Sequence, residues 1–142
     1  MINECSGENI HNRIYQRLLD VIPDLLTIEQ HGKSEVDGLM ALNFDVMQRT
    51  PKKMTIALSH YYKHPSGDMI ADPDMLIAVY IDRGMAEALT YQDSYMFTRV
   101  YSADKSHVDV AAKRSLNEFL HTWLGNLIEQ GHSIKSGIKY VQ

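Results

Sequence analysis

The sequence predicts an α+β domain with an N-terminal helix, a five-stranded antiparallel meander and a long C-terminal helix packed on one face of the sheet. Three observations carry that prediction. Apolar residues recur at three- and four-residue steps near both ends of the chain. Between them, from residue 39 to residue 102, the apolar period falls to two. Short turn signals break up this middle stretch, so that neighbouring strands pair antiparallel.

The first helical stripe is Ile10, Ile14, Leu18 and Val21–Ile22, opening near Glu8 and stopped by Pro23. "DLLTIEQHG" fits either a short second helix or a strand closed by Gly32, and "KSEVDG" reads as a polar turn. In the first strand Met40, Leu42, Phe44 and Val46 share a face, with Asn43 and Asp45 opposite. Pro51 and two lysines mark a turn, after which Met54, Ile56 and Leu58 share a face of the second strand. Residues 64–74 read as a loop, the one long connection in the meander. "MLIAVYID" is apolar on both faces, which predicts a central strand covered on both sides or paired in an oligomer. "DRG" is a hairpin connection, and "MAEALTYQ" and "YMFTRVYS" are the last two strands.

The final helix opens at Ser106, which with Asp109 has the spacing of a capping box. Its stripe is Val110, Leu116, Phe119–Leu120, Trp123–Leu124 and Leu127–Ile128, and Gly131 suits the C′ position. Trp123 is expected in the core, as are Met40, Met54 and Met85; His121 lies off the stripe and is expected to be solvated. Both helices are expected on one face of the sheet. The other face carries Thr, Asn, Asp and Ser and is expected to meet solvent or a partner.

The 142 residues suffice for a single domain, 1–142, with 1–7 and 133–142 expected to be loose. Apolar residues at 44% and charged ones at 23% are globular values and argue against disorder. A net charge of -4, with basic residues only in ones and twos, argues against direct nucleic-acid binding. A lone cysteine, Cys5, rules out an intramolecular disulfide and fits a reducing compartment. "MINECSGENI" lacks the basic and apolar regions of a signal peptide, and no apolar run approaches the roughly 18 residues of a membrane span. These features lead to the expectation of a cytoplasmic protein without a membrane.

The stretch "SHYYKHPSGDMIADPDM" holds the candidate site residues: His60, Tyr61, Tyr62, His64, Asp68, Asp72 and Asp74. A metal centre needs three or four such groups converging on one point; the metal candidates are His60, His64 and Asp68. Yet there is no HExxH, no cysteine pair and no P-loop, and the aspartates do not follow EF-hand spacing. Ser59 and His60 are strand neighbours on opposite faces and cannot form a nucleophile–base couple. Turn chemistry accounts for Pro65-Ser66-Gly67-Asp68 and for Asp72-Pro73-Asp74 without any ligand. Glu87 and Asp82 flank a hairpin but are too generic to mark an acid–base pair. No catalytic residue and no cofactor is therefore assigned.

Several residues do resemble a known pattern. Tyr80-Ile81-Asp82, Met85-Ala86-Glu87 and then Asn117, Phe119-Leu120, Trp123-Leu124 and Gly131 resemble the YqiB-like family of small bacterial proteins of unknown function. "YYKHPSGDMIADPDM" is similar to a signature of a related unknown-function group carried on mobile elements. The resemblance spans about residues 38 to 132. It implies a bacterial cytoplasmic α+β protein and carries over no activity. The preferred reading is a non-enzymatic accessory protein acting through protein–protein contacts, as a homodimer or with an unknown protein partner. The alternative is a metal-dependent hydrolase or small-ligand binder using the His/Asp loop at 60–74.

Overall fold

The computed structural model describes residues 9–63 and 65–134, without the side chains of residues 62, 63 and 69–72. The segments expected to be loose lie largely outside these residues, as do Cys5 and His64. Helix α1 spans Ile10–Val21, and β1 (His31–Ser34), β2 (Ala41–Arg49), β3 (Lys53–Lys63), β4 (Met69–Tyr80), β5 (Met85–Gln92) and β6 (Phe97–Arg99) follow; helix α2 spans Val110–Gln130. The six strands form one sheet in sequence order, each antiparallel to the next. The α+β class and both helices are as expected, with one strand more than the five predicted.

The extra strand is β1, which takes in His31-Gly32 from the segment read as helix or strand and Lys33-Ser34 from the expected turn; the turn itself falls later, at residues 37–38. Its inward positions are Gly32 and Ser34, opposite Phe44 and Leu42. Neither is apolar enough to show an alternating pattern, so the strand leaves almost no hydrophobic signal. Residues 23–27 form turns rather than a helix or strand, and bury Leu25 and Ile28. Arg49 on β2 holds this segment: its guanidinium donates to Leu26 O at 3.0 Å, Leu25 O at 3.4 Å and Ile28 O. A planar five-donor group suits such a cluster of carbonyls.

The expected loop at 64–74 is a correction. Strand β3 runs on to Lys63 and β4 starts at Met69, leaving only 64–68 as the connection. Asp72-Pro73-Asp74 lies inside β4, not in a turn. Ser59 pairs with Asp74 and Tyr61 with Ala71, so Asp72 and Pro73 together oppose His60 alone. Such a bulge accepts a proline because the extra residue is not asked for a ladder hydrogen bond. Further bulges fall between Val46 and Gln48 and between Leu76 and Ile77.

One face of the sheet carries Leu42, Phe44, Met54, Ile56, Leu58, Met75, Ile77, Val79, Ala86 and Ala88, all fully buried in a single cluster with both helices. On β4 the opposite face shows Leu76, Ala78 and Tyr80. Ala78 is buried there, between its ladder partners Thr55 and Glu87, with both helices on the other face. Met54 joins the core; Met40 is exposed and Met85 only half-buried, since Met40 precedes β2 rather than extending its inward row.

Helix α1 is capped by a reciprocal pair. Asn9 Oδ1 accepts from His11 and Asn12 N–H, and Asn12 Oδ1 accepts from Asn9 N–H. Helix α2 is capped by Asp109, whose carboxylate accepts from Ala112 N–H at 3.0 Å, not by Ser106. Asp104 draws Ser106 away: it accepts from Ser102 Oγ and Ser106 Oγ, each at 2.7 Å, and from Ser106 N–H. Gly131 closes α2 at φ 91°, where a side chain is strained. The apolar stripe of α2 is narrower than expected: Leu116, Leu120, Trp123, Leu124 and Leu127 are buried, while Val110 is 69% exposed.

Candidate functional site

The candidate residues from the sequence do not converge. His60 points to the helix face, 8% exposed, with its ring edge-on to Trp123 at 5.4 Å and tilted against His132 at 5.8 Å. Asp74 lies on the opposite face and accepts from Ser59 Oγ at 2.8 Å. Asp68 is exposed in the hairpin turn and accepts from Ser66 Oγ at 3.3 Å. Tyr61 is half-buried opposite Ala41 and Ala71. Tyr62 and Asp72 are placed on β3 and β4 by their backbone alone, and His64 lies outside the described residues. Among the described residues no three His, Cys, Asp or Glu side chains are grouped to hold a metal ion.

His60 belongs instead to a buried polar seam between sheet and helix α2. His132 Nδ1 lies 2.9 Å from Ser34 Oγ, which also accepts from Ser133 N–H at 3.0 Å. Strand β1 is thus tied to the chain just past α2. His60 Nε2, His132 Nε2 and Trp123 Nε1 are buried with no hydrogen-bond partner among the described residues. Burial pushes the His60 pKa down, with the neighbouring His132 adding to it, and burial does the same to His132. His121 departs from expectation too: its Nε2 is buried, and burial with nearby Arg17 and Arg13 lowers its pKa.

A second cluster, unforeseen from the sequence, is built on Glu87 of β5. Glu87 is 8% exposed on the face away from the core. Tyr80 O–H donates to Glu87 Oε2 at 2.5 Å and Tyr101 O–H to Oε1 at 2.7 Å. Lys113 Nζ stands 3.8 Å from Oε1 and donates to Tyr101 Oη at 3.2 Å. Burial and the Glu87 charge raise both phenol pKa values, so both tyrosines stay protonated donors at neutral pH. Arg83 and Lys53 each lie over the Tyr80 ring, at 5.6 and 5.5 Å from its centre. Beside these groups is a cavity of about 220 Å³, lined by His11, Tyr80, Arg83, Met85, Glu87 and Lys113.

The cavity sits where the sheet edge is bare. Strand β6 pairs only with Thr90–Gln92, so the start of β5 has no ladder partner on that side. Side chains substitute for one. His11 Nδ1 lies 3.2 Å from Ala86 O, and Ala88 N–H donates to Asn117 Oδ1 at 2.8 Å. Asn117 Nδ2 in turn donates to Lys113 O at 2.7 Å. An edge blunted this way is closed to a further strand. No local motif could reveal the cluster, because its members come from residues 80, 87, 101 and 113. The one available signal is a lone Glu among alanines in a strand.

The turn between β5 and β6 forms a third feature. Asp93 accepts from Tyr91 O–H at 2.6 Å, Tyr95 N–H at 2.8 Å and Met96 N–H at 3.0 Å. These bonds, led by Tyr91, lower the Asp93 pKa. The turn so held presents Tyr95, Met96 and Phe97, 94%, 55% and 52% exposed. Only Phe97–Arg99 of the expected last strand is strand, which leaves Tyr95 and Met96 in the turn.

Fold and site define an α+β domain with a helix-covered six-stranded meander and no metal cluster among the described residues. The chain belongs to the family described as a domain of unknown function, DUF6908, which it matches over residues 13–133. No curated protein and no solved structure is detectably similar to it. No helix is long and apolar enough to cross a membrane among the described residues.

Proposed function

We propose that the chain is a non-enzymatic bacterial accessory protein that acts in the cytoplasm through protein–protein contacts, as a homodimer. The observation that carries this reading is the exposed Tyr95-Met96-Phe97 tip, held by Asp93. Large apolar side chains on a preorganised turn lose little entropy on docking, and aromatic anchors dominate interface energies. The apolar exposure continues along the same sheet edge: Val108 is bridged to Tyr101 just past β6, and Val110 follows it. Open sheet edges tend to pair with another chain, and a two-fold dimer is the commonest way to do so. The placement of His60 and Asp74 on opposite faces weighs against a hydrolase or ligand site shared between them. Kinship with the YqiB-like and mobile-element groups, carried by the motifs above, belongs to the same proposal.

The test is sedimentation velocity at micromolar concentration on the wild type and on the Tyr95→Ser/Phe97→Ser double variant. The expected result is a wild-type dimer and a folded, monomeric variant. A wild type that stays monomeric, or a variant that still dimerises, would overturn the homodimer.

A further inference from the structure

We infer that the Glu87 cavity is a binding site for a small carboxylate that carries a hydrogen-bond donor close to its charged end, such as an amino or hydroxy acid. This goes beyond the protein–protein reading and uses a different part of the surface. The charge of the lining comes first. Arg83 and Lys113 bring two positive charges, and Glu87 brings one negative charge that Lys113 and two phenols already address. Arg83 makes no ion pair among the described residues. A protein of net charge -4 therefore concentrates an unbalanced cation at one cavity. A guanidinium there favours a carboxylate, which it can meet with two parallel N–H bonds.

Glu87 sets the second requirement. A carboxylate offers about four lone-pair positions, and the two phenols fill one on each oxygen. The remaining positions accept but cannot donate. A plain anion brought beside them is repelled, whereas an anion bearing an ammonium or hydroxyl places that donor on Glu87 and its carboxylate on Arg83. The phenols hold Glu87 rigidly for this, and burial of the carboxylate strengthens the discrimination.

Size sets the third limit. A cavity of about 220 Å³ is far larger than the roughly 30 Å³ share of a single water. That space suits a molecule the size of an amino acid. Helices α1 and α2 both begin at this edge, through His11 and Lys113 in their first turns, and their dipoles add positive potential.

The experiment is an NMR titration of the full chain at fixed ionic strength with three probes: glycine, acetate and inorganic phosphate. Glycine and acetate share the carboxylate and differ in the donor. The expected result is saturable shifts of the Arg83, Glu87 and Lys113 signals, with glycine binding at least about tenfold tighter than acetate, the scale of one charge-assisted hydrogen bond. Arg83→Gln should weaken glycine binding by about tenfold or more, while Lys33→Gln, which removes the same charge on the far strand β1, should leave it unchanged. Shifts that grow linearly without saturation would overturn the assignment. So would tighter binding of phosphate than of glycine, or equal losses in the two variants.

Discussion

Lowering the pH from 7.5 to 5.5 perturbs the histidine seam and little else in the core. His60 and His132 are both buried in the folded chain, and burial holds each pKa below its ordinary value. In the unfolded chain both titrate near 6.5. A depressed folded pKa means that the contribution to stability is complete above about pH 6.5 and is lost as pH falls, because the unfolded chain takes up protons that the native one refuses. This window lies above the ordinary carboxylate range and spans the ordinary histidine value, so histidines dominate the slope. If a buried histidine stays neutral throughout, the loss between pH 7.5 and 5.5 is about 1.4 kcal/mol, so the pair sets an upper bound of about 3 kcal/mol. His121, lowered in the same direction, adds a smaller loss.

Urea unfolding at pH 7.5, 6.5 and 5.5 measures this directly, with the m-value checking that the transition itself is unchanged. His60→Phe keeps an aromatic ring against Trp123 and removes one titrating group. Its stability should fall by about 1 kcal/mol less than the wild type's over the same pH range. A wild type equally stable at pH 7.5 and 5.5, or a His60→Phe variant with an unchanged pH slope, would refute the assignment of the loss to these rings.

Other perturbations have outcomes of known direction. Asn117→Ala leaves the Ala88 N–H unpaired at the β5 edge and should cost about 2–3 kcal/mol in urea unfolding, well above a surface change. Arg49→Met keeps the side-chain length but removes the donors that hold residues 25–28, and should cost about 2 kcal/mol, with faster amide exchange in that segment. Gly131→Ala places a Cβ at φ 91° and should cost about 1 kcal/mol, read as a lowered Tm.

How far the sequence reveals this molecule depends on where the information sits. Helix α1 was legible because Ile14, Leu18 and Val21 repeat on one face and Pro23 stops them. Strands β2, β3, β5 and the second half of β4 were legible because apolar residues such as Leu42 and Phe44, or Met54, Ile56 and Leu58, recur at every second position between turn signals. Strand β1 was not, because Gly32 and Ser34 carry no apolar signal. Asp72-Pro73-Asp74 reads locally as a turn, and only the pairing of Ser59 with Asp74 shows that it lies within a ladder. Ser106 and Asp109 satisfied the spacing of a cap, but Asp104 competes for Ser106, a tertiary choice that spacing does not encode. The Glu87 cluster was invisible for a different reason: four side chains from residues 80 to 113 meet only once the sheet and α2 are in place. His60 was singled out correctly as unusual, yet its surroundings come from Trp123 and His132, far along the chain.

The proline in β4 acts on folding as well as on shape. Strands β3 and β4 have 11 and 12 residues, and their apolar residues alternate along most of that length. A slip of one residue would expose the whole inward row, but a slip of two would keep every side chain on its proper face. Hydrophobic burial alone therefore penalises a two-residue slip weakly. Pro73 breaks that degeneracy: lacking an N–H, it fits only where the ladder skips a bond, opposite His60. Moving Asp74 away from Ser59 would also break their hydrogen bond. The bulge thus works as a register key, selecting one alignment of the longest hairpin from several that the hydrophobic pattern would accept.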